Sequence, residues 1–133
     1  MSERLEGKSF IVIGAGTGIG AATVRRLASE GARVCVGDIN RDAAEAVAEQ
    51  VRAGDGNAFA VAVDITDQAQ VDAAVGEAVQ RFGKLDGAHV NAADLRVIFQ
   101  DSDALAVDMA VFDRTLDVNL RGHLRCTKAV LPH

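Results

Sequence analysis

The chain contains no tyrosine and no tryptophan, and its 4% of aromatic residues is all phenylalanine. No phenol is therefore available for acid–base work anywhere in these 133 residues. Cysteine is nearly as scarce: Cys35 falls in a predicted strand and Cys126 in a predicted helix. Two such residues give no disulfide framework, and a reduced cytoplasm is the simplest setting. Basic residues number 14 against 19 acidic ones, for a formal net charge of −5. With no basic stripe to neutralise phosphates, a nucleic acid is not an expected partner. No apolar run approaches the roughly 20 residues needed to cross a bilayer, so no membrane partner is expected. The opening MSERLEGK is too polar for a secretory signal. Histidine and cysteine at metal-ligand spacing are missing too, and no metal site is expected.

What is present is an ordinary globular composition, 49% hydrophobic and 25% charged, with room for one core. Short β-branched runs alternate with longer stretches that are apolar at helical spacing. Strands are predicted over 9–13, 33–37, 58–63 and 85–90, and the first and third are nearly continuous in apolar character, as doubly buried strands are. Helices are predicted over 19–30, 41–53 and 67–82, and the last carries the stripe Val71, Ala74, Val75, Ala78, Val79, Phe82. Asn40 and Thr66 stand where helix N-caps belong, and Gly31, Gly54 and Gly83 where left-handed C-caps do. Residues 92–107 read as a long loop; a final helix runs from about 108 to 128, with Pro132 beyond it. Strand–helix alternation implies an α/β fold, a doubly wound parallel sheet, and right-handed crossovers set its order as 3-2-1-4.

Between the first strand and the first helix lies IVIGAGTGIGAA, residues 11–22. A strand that ends in glycines and opens a helix gathers unpaired backbone N–H groups at the positive end of the helix dipole, a place suited to a phosphate. Side chains would block the approach. The spacing G-x-x-x-G-x-G is met by Gly14, Gly18 and Gly20, whereas the commoner G-x-G-x-x-G fails at Ile19. A bare tight turn is the competing reading of such a loop. The acidic residue expected about 20 positions further on is Asp38, placed to accept hydrogen bonds from the ribose hydroxyls of a dinucleotide. Neither Thr17 nor Ile39 offers a cation to a 2′-phosphate, which points to NAD, while Arg41 keeps NADP open.

These segments together resemble the short-chain dehydrogenase/reductase family, and the resemblance runs through the whole chain. The family's glycine motif, T-G-x-x-x-G-I-G, stands here as IGAGTGIG, with Ile13 in the threonine position. DITD matches the segment whose aspartate meets the adenine ring, here Asp64 with Ile65 beside it. HVNAAD matches the family's N-N-A-G at Asn91 and Ala93, with Ala92 in place of the second asparagine and Asp94 in place of the glycine. DVNLRG matches the helix that bears the asparagine of the catalytic tetrad, here Asn119, and TKAVLP follows as in many members. The resemblance implies a Rossmann-type domain over 1–133 and hydride transfer between a nicotinamide and an alcohol or carbonyl substrate. Gly14, Thr17, Gly18, Ile19, Gly20, Asp38, Ile39, Asp64, Ile65, Asn91, Ala92 and Ala93 are the residues it assigns to the cofactor.

In the family a serine, then a tyrosine and a lysine in Y-x-x-x-K, follow Asn119. The chain reaches His133 with none of the three, and the expectation is the cofactor-binding half of an oxidoreductase, truncated after the fourth strand and the next helix, and inactive alone. The alternative is a non-catalytic dinucleotide-binding or interaction module. Asn119 alone of the tetrad is present. His89 reads as a core or strand-end residue, His123 as a surface or interface imidazole, Asp101, Asp103 and Asp108 as a solvated loop, and Lys128 as a helix-end charge. Truncation would leave residues 85–90 as a raw sheet edge and Leu116, Leu120, Leu124 and Val130 short of cover. Association, as a homo-oligomer or with the missing half, is the expected relief.

Overall fold

The computed structural model describes residues 3–133. Four strands, β1 (Ser9–Ile13), β2 (Arg33–Asp38), β3 (Asn57–Ala62) and β4 (Gly87–Val90), form one parallel sheet in the order β3-β2-β1-β4. Register is regular: Ile11 lies opposite Cys35 and Ala88, and Val36 opposite Val12 and Ala60. Helices α1 (Gly18–Ser29), α2 (Arg41–Ala53) and α3 (Gln68–Phe82) cross between strands. Beyond the loop after β4 runs one long helical rod: α4 (Met109–Leu116), a π-helical turn (Asp117–Gly122) and α5 (His123–Val130).

Strand alternation sorts the core into two layers. Val12, Val34 and Val36 face α1 and α2, packing on Val24, Ala44, Val47 and Ala48. Ile11, Ile13, Cys35 and Val61 face the other way, onto Val71, Val75 and Phe82 of α3 and onto Val118 and Cys126 of the last rod. Each large aliphatic side chain so buried is worth about 1.5–3 kcal/mol. The predicted doubly wound sheet and its strand order are those observed.

Local departures have plain causes. The N-cap of α3 is Asp67, not Thr66: its carboxylate accepts from the N–H groups of Ala69 and Gln70. Gly54 is not left-handed; φ is −99° there, and Asp55 takes the left-handed turn at 63°. Strand β4 starts at Gly87 because Leu85 and Asp86 form the turn into it, where the Asp86 carboxylate accepts from Ser9 N and from Lys8 and Lys84. Among the described residues only β1 pairs with β4, whose other edge carries no strand. Along the last rod Leu120 and Leu124 are 66% and 58% exposed, while Leu116 and Val130 are half-buried. Among the described residues no helix is long and apolar enough to cross a membrane.

Candidate functional site

Parallel strands place all their C-terminal ends at one edge of the sheet, and the loops leaving them line one side of the molecule. The chain winds outward from β1 through β2 to β3 and then returns to β4 on the other side of β1. That reversal is the switch point at which α/β sheets offer a crevice for their ligands. The first and fourth loops touch there: a Cβ added to Gly14, which has φ of 81°, would stand 2.6 Å from Ala92 N.

The glycines of the first loop divide into two kinds. A Cβ on Gly20 would collide with the Gly14 carbonyl oxygen, and one on Gly16 would lie 2.8 Å from the Ala43 Cβ. With Gly14, these two let backbone pack on backbone and on the neighbouring helix. Gly18 differs, for its φ is 56° and a Cβ there would meet nothing within 4 Å. It borders open space at the N-terminus of α1.

That N-terminus is uncapped. Asn40, Asp67 and Asp108 each accept a first-turn N–H of their own helix, whereas Thr17 makes no such bond. Gly14 N and Ala15 N donate to the Gly37 carbonyl and Gly16 N to Asp38. No acceptor among the described residues takes the N–H groups of Thr17, Gly18 or Ile19. Orphan donors at the positive end of a twelve-residue helix, with no carboxylate in its first turn, make a cradle for an anion.

Asp38 closes β2 beside this cradle. Its Oδ2 accepts from Gly16 N at 2.8 Å and its Oδ1 from Asn40 N at 2.9 Å. The carboxylate thus sets the shape of the glycine loop and keeps acceptor capacity on both oxygens. Ile19 and Ile39, on either side, are 70% and 63% exposed. Apolar surface flanking orphan donors suits a ligand with both flat and charged parts. Arg41, at the start of α2, is exposed.

At the end of β3, Asp64 uses Oδ1 to accept from Thr66 N and Thr66 Oγ1, and no described residue engages its Oδ2. Ile65 is buried under the last rod, so close that a Cβ on Gly122 would stand 2.6 Å from its Cδ1. In the fourth loop, Asn91 N donates to the Ile13 carbonyl, Ala92 is half-buried and Ala93 is exposed. Asn119 lies on the π-helical turn, and its Oδ1 accepts from Asp94 N at 2.9 Å.

Four residues join the site that sequence reasoning set aside or missed. Gly16 was not singled out, although its signal was the unbroken alternation of glycines. His123, expected as a surface or interface imidazole, is half-buried, and its Nε2 lies 2.8 Å from the Ala92 carbonyl oxygen. Arg114 Nε donates to Asp94 Oδ2 at 2.9 Å. Asp94, met in the sequence as a departure from a motif, is buried, and its two arginine partners, Arg96 first, hold its carboxyl well below the usual carboxylate range.

The other candidates stay outside. His89 sits in β4 opposite Val12, its Nε2 buried without a partner among the described residues. Asp103 accepts from Leu105 N and Ala106 N, Asp108 caps α4, and Lys128 is exposed. Both cysteines are buried and unpaired, and burial pushes the Cys35 thiol up to about 12. Among the described residues no group of three or more His, Cys, Asp or Glu could hold a metal ion.

Comparison with known proteins places this geometry. The short chain dehydrogenase family model matches residues 8–133. The chain is 43% identical over 125 residues to a 2,5-dichloro-2,5-cyclohexadiene-1,4-diol dehydrogenase of Sphingobium indicum, covering 93% of this chain and 47% of that protein. Against a 3-oxoacyl-[acyl-carrier-protein] reductase of Thermotoga maritima it is 34% identical over 132 residues, 98% of this chain and 51% of the relative. A solved short-chain dehydrogenase/reductase from Serratia marcescens superposes with a TM-score of 0.89 at 37% identity, over 98% of this chain and 52% of that one. The chain spans about half the length of the curated relatives it matches.

Proposed function

Because the chain belongs to the short-chain dehydrogenase family, we propose that its crevice holds a nicotinamide dinucleotide, NAD in preference to NADP, for an oxidoreductase acting on an alcohol or carbonyl. The observation that carries this reading is the uncapped N-terminus of α1, open at Gly18 and flanked by the Asp38 carboxylate.

The residues present fit such a group. Orphan N–H groups at Thr17, Gly18 and Ile19 would hold the pyrophosphate, with Gly14 and Gly20 keeping the loop tight enough to present them. Asp38 would accept from the adenosine ribose, between Ile19 and Ile39, and Asp64 with Ile65 would border the adenine. Asn91, Ala92 and Ala93 would line the path toward the nicotinamide ribose. When bound, the cofactor supplies or receives the hydride. The chain's own part is to orient it and exclude water, with Asn119 as the one polar side chain of the proposed catalytic set.

Proton transfer to a developing alkoxide needs a donor within hydrogen-bond reach. The chain has no tyrosine, so we read it as the cofactor-binding part of a longer cytoplasmic enzyme, inactive alone. The open edge of β4 and the exposed Leu120 and Leu124 support association with another copy or with a further part of such an enzyme.

Titration of the folded protein with NAD and with NADP tests the cofactor reading. A 2′-phosphate beside Asp38 sets like charges near contact, at a cost on the order of 1 kcal/mol or more. NAD is expected to bind more tightly, by about fivefold or more. Tighter binding of NADP would overturn the role of Asp38 and promote Arg41.

A further inference from the structure

The loop leaving β4 is tied to the last helical rod at three points within three residues. The Ala92 carbonyl oxygen meets His123 Nε2 at 2.8 Å, Asp94 N donates to Asn119 Oδ1 at 2.9 Å, and Asp94 Oδ2 accepts from Arg114 Nε at 2.9 Å. The rod positions are 114, 119 and 123. In an unbroken α-helix, five residues advance about 500°, which would turn position 119 about 140° away from 114. The π-helical turn over Asp117–Gly122 departs from that α-helical geometry, and Arg114, Asn119 and His123 all reach the same loop.

Asp94 is central to this arrangement. Its side chain is 5% exposed, its two oxygens accept from Nε and Nη2 of Arg96 as well as from Arg114, and its own N–H holds Asn119. Arg96 reaches back only two residues, within the loop. Arg114 is the partner that crosses to the rod. The carboxylate therefore fixes the loop and the rod against each other, at the residue whose backbone aims the Asn119 amide.

We propose that Asp94 is a positioning residue: paired with Arg114, it sets the register between the β4 loop and the π-helical turn and so holds the Asn119 side chain at the crevice. The functional weight of this role rests on the dinucleotide reading above; the geometric role does not.

The test uses the ¹⁵N-labelled protein without cofactor, followed at the Asp94 backbone amide and the Asn119 side-chain amide, the latter assigned by its loss in Asn119→Asp. In Asp94→Asn the residue-94 amide is expected to exchange about tenfold faster or more, and the Asn119 pair to move toward free-solvent shifts. Asp94→Glu, which keeps the charge, should restore part of both. Arg114→Gln should reproduce the loss from the other side; its side chain is 37% exposed, so the fold tolerates the change if Asp94→Asn does not fold. Variants that lower thermal stability while leaving both amide signals as in the parent would overturn the proposal and leave Asp94 a structural ion-pair partner. Failure of the parent to bind either dinucleotide would instead sink the cofactor reading, and the amide readouts would still decide the role of Asp94.

Discussion

Gly18→Ala separates the two kinds of glycine in the first loop. At φ of 56° a non-glycine residue costs about 1–2 kcal/mol, and the added methyl meets nothing within 4 Å, so no packing cost joins it. A domain with about 5–15 kcal/mol of stability survives that loss. Its melting temperature should fall by several degrees, at about 2–8 °C per kcal/mol. Gly14→Ala carries a similar conformational cost at φ of 81° and adds a 2.6 Å approach to Ala92 N. Overpacking of that sort costs about 1–3 kcal/mol more. Stability should therefore fall further in Gly14→Ala than in Gly18→Ala.

Binding should rank the other way for its cause. The Gly18 methyl would occupy the open space beside the orphan donors of Thr17, Gly18 and Ile19. Hydrogen bonds to a charged group contribute about 1.5–3 kcal/mol each, so losing two amounts to about a hundredfold or more in affinity. Gly18→Val, bulkier still, should abolish binding in a protein that remains folded. Urea unfolding and calorimetric titration with NAD, run on the same preparations, read both quantities. A stable Gly18→Ala that binds NAD as tightly as the parent would move the phosphate away from α1.

Three further outcomes are expected. The 133-residue protein with NAD bound should neither oxidise alcohols nor reduce carbonyls, since the chain has no tyrosine to serve the general acid–base catalysis worth about 10²–10⁴-fold; turnover that Asn119→Ala abolishes would refute this. Asp94 and Asp86 ionise more readily in the folded state, held chiefly by Arg96 and by Lys84 respectively. With folded pKa values below the unfolded value of about 3.9, their stabilisation is complete above that value and is lost as pH falls below it; Asp94→Asn should flatten the decline of the urea midpoint below about pH 5, and an unchanged slope would show the pair to be idle. Light scattering should find the protein associated at high concentration, because β4 has an open edge and Leu120 and Leu124 are exposed; a monodisperse monomer with cooperative unfolding would refute that.

Much of the fold was legible because its signals are local. The short apolar runs Phe10–Ile13 and Val34–Val36 fixed β1 and β2, and the stripe from Val71 to Phe82 fixed α3. Strand order followed from crossover handedness, which no single residue encodes. Caps were legible only to within a residue: Thr66 and Asp67 are both competent, and the choice depends on where Gln68 starts the helix. The π-helical turn had no sequence signal, since an inserted residue shows only as a shift of register between two short amphipathic segments.

The site divides along the same line, and the division corrects the meaning of its motif. Spacing picks out Gly14, Gly18, Gly20 and Asp38 as candidates, within one strand–helix–strand unit. Asp94 with Arg114, Asp94 N with Asn119, and Ala92 with His123 are 20, 25 and 31 residues apart, and no spacing rule reaches across an irregular loop of that length. Spacing alone reads Gly14, Gly18 and Gly20 as room for a ligand, with a tight turn as the competing reading. Three of the four instead make room for the protein: Gly14 for Ala92, Gly16 for Ala43 and Asp38, Gly20 for the Gly14 carbonyl. Gly18 alone faces open space. A loop can therefore keep most of such a motif for packing reasons and still lose its ligand by one substitution, and Gly18 is the position where that loss would leave the fold standing.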